Sequence, residues 1–359
     1  MGFLNSQRVK WLKNFYHYLW AFFSALFFNF VSRPRQVADA PKPLWRRHGF
    51  GGQAKKIRVI GVTGTKGKST VIELTSKILE EAGYKVASLS SIKIKIGDKE
   101  EKNLFKMTMP GRGYIQRFLK RAVDNNCQYA VIEVTSEGIL QYRQKFIDFD
   151  IAVFTNLSPE HIERHGSFEA YRAAKGNFFK QIKKAHILNL DDKSVDYFLQ
   201  FPAKRKIGFT TTAREPIGNN RNFKIIKAEN CGEETGGISF TIDNTNFNLK
   251  LLGKFNIYNA LSAICIAISQ GIDLEVCRKA LEKIKGIPGR MEIVIERPFK
   301  VIVDYAHMPD ALLNVYRTLK NPKFQKPEDD SKVVSKMICL LGSAGGGRDK
   351  WKRPKMGEI

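Results

Sequence analysis

The sequence predicts an α/β protein in which helices cover a central parallel sheet, with a small antiparallel patch and a partial, Rossmann-like unit at the C-terminal end. Three observations support this prediction. Short apolar runs of strand length alternate with segments of helical periodicity. A glycine-rich loop joins the first of these strands to the first helix. Between residues 223 and 252 the pattern changes to short strands separated by turn residues.

The segment that organises the chain is the strand, loop and helix at residues 57–82. An apolar run precedes the loop GVTGTKGKST, and residues at helical spacing follow it. In such a loop glycines let backbone N–H groups approach phosphate, a lysine neutralises charge and a hydroxyl holds Mg²⁺. The strict pattern G-x-x-x-x-G-K-[ST] is not met, because Val62 lies five positions before Gly67. A glycine turn before an ordinary helix is the alternative, but the order of the parts favours an ATP site with Mg²⁺.

The composition of the chain indicates which kinds of molecule it can bind. The chain has 359 residues, with 60 lysines and arginines against 35 aspartates and glutamates, and a formal charge of +25. This excess favours an anionic partner such as a nucleotide or a membrane surface, with a solvated basic face as the alternative. Nucleic acid is not expected, because no RNA-binding aromatic signature accompanies the charge. The five cysteines form no C-x-x-C pair, which argues against a disulfide framework or zinc ribbon and fits a reducing, cytoplasmic location.

The first predicted unit, residues 1–56, differs in composition from the rest. Basic residues precede the aromatic stretch FYHYLWAFFSALFFNFV at residues 15–31, and a linker containing proline and glycine follows at residues 33–53. A spanning helix, a signal peptide, and a helix that lies on a membrane surface or docks on the core are the alternatives. Ser24 and Asn29 interrupt a short apolar run, so the third alternative is favoured. It predicts contact with the inner face of the membrane through residues 15–31.

Downstream, strand-like runs and helical segments alternate, which predicts a parallel sheet with covering helices. Residues 93–102 are charged and are expected to be exposed. The runs FKIIKA, GISFTI and FNLKLL are expected to form the antiparallel patch. The predicted strands lie at residues 85–89, 129–134, 149–154, 186–189, 301–304 and 337–341, and the predicted helices at residues 114–123, 168–175, 253–270, 274–284 and 311–319.

Two further units are predicted after the first. Residues 57–298 form the central ATP-binding unit, and the turn GIPGR near its end resembles a hinge. Residues 299–359 begin a C-terminal domain. This last unit has roughly 60 residues, whereas an α/β domain usually has about 100–150. We therefore expect the C-terminal domain to be incomplete in this chain.

Several polar side chains lie at or just after the ends of strands, which is where parallel sheets usually bind ligands. Glu133 ends an apolar strand, as an acidic residue near a nucleotide's metal does, although such a glutamate is often only solvated. His161 lies in the loop after the next strand, and Lys175 lies on the helix that follows. Asn256 and Asn259 stand at the start of a buried helix, where N-capping is the alternative. Together with the glycine loop, these residues favour a metal–nucleotide site.

Seven stretches stand in order along residues 57–357: GVTGTKGKST (61–70), EVTSEGILQYR (133–143), TNLSPEHIERHGSFEAYRAAK (155–175), GKFNIYNA (253–260), GRMEIV (289–294), VDYAHMPDAL (303–312) and GRDKWKRPKMG (347–357). Together they resemble the Mur ligase family, the ATP-dependent amide-bond ligases of peptidoglycan precursor synthesis. The last two stretches are most similar to the members that add the third peptide residue. The resemblance implies two substrates, a UDP-muramoyl-peptide and an amino acid, and an acyl-phosphate intermediate.

The resemblance also implies roles for matching side chains. Lys68 would hold the β- and γ-phosphates of ATP. Ser69 and Glu133 would ligate Mg²⁺, and His161 would ligate a second Mg²⁺. Lys175 would be carbamylated, which turns an ammonium into an anion that assists in holding Mg²⁺. Lys68, His161 and Lys175 are the implied catalytic residues. The implied ATP-binding residues are Gly64, Thr65, Lys66, Gly67, Lys68, Ser69, Thr70, Asn256, Asn259, Arg290 and Asp304, and the implied substrate-binding residues are Thr108, Thr135, Ser136, Gln141, Arg143 and Arg353.

Three departures accompany the match. No UDP-gripping domain is visible in residues 1–56, Met109 and Glu137 replace a usual threonine and histidine, and the Asp-Asn-Pro-Arg motif that selects the amino acid is not found. The added amino acid is therefore not assigned, and the apolar N-terminal segment leaves a lipid-linked substrate open.

Several alternatives to the amide ligase remain. Folylpolyglutamate synthase shares the scaffold, but the stretches at residues 303–312 and 347–357 oppose it. The lipid II amidating ligase would bring a zinc-type cysteine cluster, which the sequence lacks. The others are a membrane-associated nucleotide-binding protein without turnover and a basic nucleic-acid-binding ATPase.

Overall fold

The computed structural model describes residues 2–30, 57–105, 107–111, 113–212, 222–234, 236–321, 336–342 and 349–359. The predicted linker at residues 33–53 lies outside them. A large, mostly parallel sheet covered by helices dominates the described residues, which confirms the predicted α/β class.

A nine-stranded sheet forms the centre of this described part of the chain. Its strands are β1 (Arg58–Thr63), β2 (Val86–Leu89), β3 (Lys93–Ile96), β4 (Lys99–Lys102), β5 (Tyr129–Glu133), β6 (Ile151–Phe154), β7 (Ala185–Asn189), β8 (Arg205–Thr210) and β9 (Phe223–Lys227). They lie in the order β4-β3-β2-β5-β1-β6-β7-β8-β9, and only the β2–β3 and β3–β4 pairs among them are antiparallel. The glycine loop therefore leaves the sheet from its middle, between β5 and β6.

Helices cover both faces of this sheet. The helices of the described residues are α1 (Gly2–Phe30), α2 (Lys68–Glu81), α3 (Tyr114–Asp124), α4 (Ser136–Leu140), α5 (Ile162–His165), α6 (Phe168–Gln181), α7 (Val195–Leu199), α8 (Phe255–Ser269), α9 (Leu274–Glu282), α10 (Pro309–Leu319) and α11 (Lys352–Gly357), of which α10 and α11 belong to the C-terminal part. Leu74 of α2 and Ile264 of α8 are fully buried in the core of one face. Phe118 of α3 and Phe178 of α6 are buried in the other. Each such side chain stabilises the fold by about 1.5–3 kcal/mol.

Two expectations about strands are wrong. FKIIKA forms β9, but β9 pairs parallel with β8 at the edge of the large sheet. The antiparallel patch consists instead of β10 (Glu229–Glu234), β11 (Gly237–Ile242) and β12 (Thr245–Leu249). Residues 93–102 form the β3–β4 hairpin, and only β4 is exposed throughout. Lysine and isoleucine alternate in β3, which turns Ile94 and Ile96 into the core.

The C-terminal part of the described chain begins with β13 (Glu292–Ile295) and β14 (Val301–Val303), which pair antiparallel. The strand predicted at residues 337–341 is wrong, because residues 336–342 form no ladder with any described strand and leave Ile338 and Leu340 exposed. A strand is stabilised by the hydrogen bonds of a neighbour, so an apolar run alone does not make one. The Rossmann-like character of this part stays a prediction.

Residues 15–30 of the N-terminal aromatic stretch lie in α1, a helix of 29 residues, and Val31 lies outside the described residues. It packs against α3, and its Ala21 and Ser24 side chains are buried. Among the described helices, none combines the length and the apolarity that crossing a bilayer requires. Docking on the core is therefore observed, and contact with a membrane surface stays a prediction.

Candidate functional site

The glycine loop follows β1 and leads into α2 at the carboxyl end of the sheet. Gly64 and Gly67 have φ angles of 152° and 80°, which side chains rarely adopt. A Cβ on Gly64 would lie 2.0 Å from Thr155 Oγ1, and one on Gly67 would lie 2.2 Å from Asn259 Oδ1. Both positions therefore require glycine, because the backbone of the loop lies directly against the Thr155 and Asn259 side chains.

Asn156, just after β6, holds this loop in place. The Thr65 N–H donates to Asn156 O at 2.9 Å, and the Lys66 N–H donates to Asn156 Oδ1 at 2.9 Å. Asn156 Nδ2 in turn donates to Lys66 O at 3.1 Å. The loop is thus ordered by protein contacts before any ligand binds.

The start of α2 faces the end of β5. Lys68 Nζ donates to Gly64 O at 3.1 Å and to Thr65 O at 2.8 Å. The same ammonium lies 3.9 Å from Glu133 Oε1, and Ser69 Oγ donates to Glu133 Oε2 at 2.8 Å. These groups meet because β1 and β5 are parallel neighbours whose carboxyl ends share one edge. An ammonium, a hydroxyl and a carboxylate are therefore adjacent at the loop.

Lys175 of α6 lies beneath the loop and is 1% exposed. Its Nζ donates to Gly64 O at 2.8 Å and lies 4.7 Å from the centre of the Tyr171 ring. Burial, followed by the nearby charge of Lys68, holds the pKa of the Lys175 amine well below its usual value. A buried lysine of this kind is available as a neutral amine, the form that reacts with electrophiles.

His161 joins the centre of the molecule to its C-terminal part. The backbone N–H of His161 donates to Asp349 Oδ2 at 3.2 Å, and its imidazole Nε2 lies 3.8 Å from Glu160 Oε1. The same Glu160 oxygen lies 3.3 Å from His307 Nε2. Burial would raise the pKa of Glu160, but the hydrogen bond from His307 and the surrounding positive charges lower it to about 2. Glu160 therefore stays ionised beside the loop.

Asn256 and Asn259 lie in the first turns of α8. Asn259 Nδ2 donates to Asn256 Oδ1 at 2.8 Å, and Asn256 Nδ2 donates to Leu252 O at 2.8 Å. Lys254 occupies the N-cap position, so the capping alternative for both asparagines is wrong. The two amides instead form a buried, hydrogen-bonded pair next to the glycine loop.

Two predicted nucleotide residues come from the C-terminal side of the molecule. The Arg290 guanidinium lies 4.9 Å from the centre of the Tyr305 ring. Asp304 accepts from the N–H groups of Met291 and Ala306 at 2.8 and 2.6 Å. Burial raises the pKa of Asp304 despite these hydrogen bonds. Both side chains are held by their own neighbours, next to the turn that contains Gly289.

Predicted substrate residues lie beyond Glu133. Thr108 Oγ1 lies 2.7 Å from Ser91 Oγ, which also donates to Glu133 Oε2 at 3.1 Å. Ser136 Oγ lies 3.0 Å from His165 Nε2. Burial lowers the pKa of His165 to about 4, so its imidazole is neutral at pH 7. The hydroxyl groups of Thr108 and Ser136 thus continue the polar surface from the Glu133 carboxylate along the cavity.

The remaining predicted substrate residues surround Met109. Its Sδ accepts from the Thr135 N–H at 3.1 Å, and its side chain is buried. Thr135 Oγ1 accepts from the N–H of Gly138 at 3.1 Å and so caps α4. Arg143 donates to Met109 O and to Gln141 Oε1. The thioether therefore fills the position that a family threonine occupies, without leaving the Thr135 amide unpaired.

A single cavity of about 1370 Å³ connects these groups. Gly64 and Lys175 do not line it; Gly64 belongs to the loop, and Lys175 supports the loop from below by donating to Gly64 O. Arg353 does not line it either and is exposed on α11. The predicted residues that line the cavity are Thr65, Lys66, Gly67, Lys68, Ser69, Thr70, Thr108, Glu133, Thr135, Ser136, Gln141, Arg143, His161, Asn256, Asn259, Arg290 and Asp304.

Four residues at the site were not among the predicted ones. Asn156 holds the loop, Glu160 and His307 form a part-buried pair, and Asp349 contacts His161. Glu160 precedes His161 directly and His307 follows Asp304 by three positions, so their sequence neighbourhood was a usable signal. Asp349 offered no such signal, because only folding brings it to His161.

The donor set fits ATP and Mg²⁺. Mg²⁺ is typically held by one or two protein oxygens together with phosphate oxygens and waters. Ser69 and Glu133 supply that number of oxygens beside the lysine of the loop. Among the described residues, no three His, Cys, Asp or Glu side chains converge into an independent metal site. The site therefore suits a metal that arrives with a nucleotide.

Comparison with known proteins matches this geometry. The model of the Mur ligase middle domain matches residues 62–267, more than half of the chain. The chain is similar to the UDP-N-acetylmuramoyl-L-alanyl-D-glutamate--2,6-diaminopimelate ligase of Syntrophomonas wolfei, with 36% identity over 326 residues, 86% of this chain and 61% of the relative. It is also similar to the UDP-N-acetylmuramyl-tripeptide synthetase of Roseiflexus sp., with 33% identity over 331 residues and the same two coverages, 86% and 61%.

A solved structure is similar as well. The structure of a UDP-N-acetylmuramoyl-L-alanyl-D-glutamate--2,6-diaminopimelate ligase superposes with a TM-score of 0.61 at 28% identity, and the match covers 84% of this chain and 59% of that one. The chain therefore spans about three fifths of the length of the relatives it matches.

Proposed function

The chain belongs to the Mur ligase family, and from this premise we propose that it is an ATP-dependent amide-bond ligase of peptidoglycan synthesis. A carboxylate of a UDP-N-acetylmuramoyl-peptide attacks the γ-phosphorus of ATP, which releases ADP and leaves an acyl phosphate. The amine of an amino acid then attacks the acyl carbon, releases phosphate and loses a proton to form the amide. The units at residues 1–56, 57–298 and 299–359 are proposed as its domains, and the cytoplasm as its location.

The observation that carries this proposal is the convergence on one loop of Lys68, the Ser69–Glu133 pair and the buried Lys175. Phosphoryl transfer depends on positioning and charge neutralisation more than on covalent help. Lys68 neutralises the transferring phosphate. Ser69 and Glu133 would hold a bound Mg²⁺, which supplies further positive charge at the phosphates.

His161 and Lys175 would hold a second Mg²⁺ in this proposal. The neutral Lys175 amine adds to CO₂, forming an N–C bond and releasing a proton, and so becomes a carbamate anion. An anion at this position balances the positive charges that surround the loop. The lowered pKa of Lys175 supports this role, because only the neutral amine reacts with CO₂.

The remaining residues divide between the two ends of the cavity. Asn256 and Asn259 would contact the adenine, Asp304 the ribose and Arg290 the nucleotide. The muramoyl-peptide would lie at the other end of the cavity. Arg353, which is exposed on α11 and does not line the cavity, is proposed to lie near the incoming amino acid. The proposed peptide-binding residues are Thr108, Thr135, Ser136, Gln141 and Arg143.

A phosphate-release assay tests the ligase function. With ATP, UDP-muramoyl-dipeptide and either diaminopimelate or lysine, we expect phosphate release only when all three substrates are present. The reason is that phosphate leaves only after the amine attacks the acyl phosphate. Release without the muramoyl-peptide would indicate a simple ATPase. No release from any combination would indicate a nucleotide-binding protein without turnover, and either result would refute the proposal.

Contact with a membrane surface is proposed for α1. Its docked side buries Ala21 and Ser24, and its opposite side carries large apolar residues. Leu12, Tyr16, Trp20 and Phe23 share that opposite face at helical spacing and are 58%, 46%, 42% and 58% exposed. Such a face on a protein of charge +25 matches a helix that lies in the plane of an anionic membrane.

Sedimentation with vesicles of anionic phospholipid tests this contact. We expect the protein to sediment with the vesicles and the Trp20→Ser/Phe23→Ser variant to remain largely in the supernatant, because two large apolar side chains no longer enter the bilayer. Phe299→Ser is the matched control, since Phe299 is 65% exposed elsewhere on the molecule. Equal sedimentation of the double variant and the wild type would contradict the contact.

A further inference from the structure

The inner side of α1 rests on the turn that carries two proposed substrate residues. The Tyr18 ring contacts the rings of Tyr142 and Phe146, with centroid distances of 5.5 and 5.6 Å. Phe22 contacts Phe146 at 5.7 Å. Tyr142 lies between Gln141 and Arg143 in sequence, so α1 packs directly against the backbone that presents those two side chains to the cavity.

This turn has an unusual backbone. Tyr142 and Phe146 have φ angles of 55° and 60°, in the left-handed region that residues other than glycine seldom adopt. Such conformations persist where surrounding contacts impose them. The contacts here are the aromatic rings of α1 together with hydrogen bonds within the turn, such as the one from the Arg143 N–H to Gly138 O at 2.9 Å. The position of Arg143 in the cavity therefore depends on the docking of α1.

Another part of α1 reaches the cavity itself. His17 lines it together with Tyr114 and Arg117 of α3. Ser24, further along α1, is buried against Gly113. A Cβ added to Gly113 would lie 2.1 Å from Ser24 Oγ. Among the described residues of α1, His17 thus lines the peptide end of the cavity, next to the aromatic Tyr114 and the basic Arg117.

The opposite face of α1 is the apolar face defined above by Leu12, Tyr16, Trp20 and Phe23. One helix therefore carries a cavity-lining histidine on one side and a membrane-type surface on the other. A protein lying on a bilayer through this face would hold the peptide end of its cavity at the bilayer surface. The basic side chain of Arg117 on that side suits a pyrophosphate link.

From this arrangement we infer that a membrane lipid can carry the muramoyl-peptide acceptor through a pyrophosphate, in place of the UDP carrier and in preference to it, and that α1 positions the turn that binds the acceptor. The inference rests on the proposed ligase function and deepens it by naming the carrier of the acceptor. A pyrophosphate also links the soluble UDP form of the acceptor, so the two carriers must be separated by experiment.

The first test compares the two carriers. Phosphate release is measured with ATP, an amino acid and either soluble UDP-muramoyl-dipeptide or the same dipeptide on a polyprenyl pyrophosphate in anionic vesicles. We expect kcat/KM for the lipid-borne acceptor to be at least about tenfold higher, because sharing one bilayer raises the effective concentration. Trp20→Ser/Phe23→Ser should remove this preference and leave turnover of the soluble acceptor unchanged.

The outcomes separate the inference from the function on which it rests. Turnover of the soluble acceptor alone, or equal turnover of both carriers by the wild type, would leave a ligase and overturn the lipid-borne acceptor. No release from either carrier would overturn the ligase function and the inference with it.

The second test addresses the positioning role of α1. Tyr18→Ala should raise the KM for the acceptor, with little change in kcat or in the KM for ATP, because only the turn at Gln141 and Arg143 loses its support. Leu12→Ala, on the outward face of the same helix, is the control and should leave the soluble acceptor's KM unchanged. An unchanged acceptor KM in a folded Tyr18→Ala protein would overturn the positioning role.

Discussion

Lys68→Met is expected to lower ATP turnover by at least about 10²–10³-fold, the cost of removing one group that stabilises transition-state charge. Methionine retains the length of the side chain but removes the charge. Lys68 Nζ is held by two carbonyl groups of the loop and lies 3.9 Å from Glu133, so its position is already fixed beside the proposed phosphate site. Phosphate release under saturating ATP is the measurement.

Lys77→Met is the matched control for this variant. Lys77 lies on the same helix, α2, and its ammonium pairs at 3.2 Å with Glu80 on the surface. Its replacement should leave turnover unchanged, because surface ion pairs contribute little. Thermal unfolding followed by circular dichroism would show that both variants fold. Undiminished turnover by a folded Lys68→Met protein would refute the assignment of the loop to ATP.

Lys175→Ala is expected to lower ligase turnover by about 10–100-fold or more, as the loss of a group that assists a metal typically does. Formate or acetate should restore part of the activity, because a small carboxylate can enter the space that the shortened side chain leaves and replace the carbamate. Phosphate release at increasing acetate concentration is the measurement. Carbon-labelled bicarbonate should also give a carbamate signal in NMR spectra of the wild type.

Lys180→Ala provides the comparison. Lys180 lies near the end of the same helix, α6, and is exposed. Its replacement should change neither the turnover nor the response to acetate. If Lys175→Ala lost activity that no carboxylic acid restored, and the wild type gave no carbamate signal, the carbamate role would be refuted and a purely structural lysine would remain. Full activity of Lys175→Ala would exclude both roles.

The local sequence pattern predicted helices and strands well where strands are buried on both faces and helices pack on them. β1, β5 and β6 are apolar runs buried on both faces, and the helical spacing of α2 and α8 matches their packing on the sheet. Which strands pair with each other was harder to predict from local sequence. β9 has the same short, mixed pattern as β11, but it pairs with β8 in the large sheet. Residues 337–341 are as apolar as a buried strand, yet form no ladder with any described strand.

The residues of the site also divide into those that the sequence predicts and those that only the structure shows. The glycine loop, Lys68, Ser69 and Glu133 could be predicted, because strand ends of one parallel sheet meet at one edge. The contact of Glu160 with His307 and the contact of Asp349 with His161 could not. Those partners are separated by well over a hundred positions in the chain, and no local pattern encodes which distant segments meet. Arg353 shows the converse, since a motif match did not bring it to the cavity.

The amino-acid sequence by itself determined the α/β class, the phosphate loop and the family, because these depend on periodicity and on short runs of residues whose chemistry acts locally. Only the tertiary structure decided that Lys175 is buried under Gly64 O and that α1 supports the turn of Arg143. The physical reason is that burial and long-range contact depend on the whole packing of the chain. A lysine on a helix and an aromatic helix near the N-terminus have many environments open to them until that packing selects one.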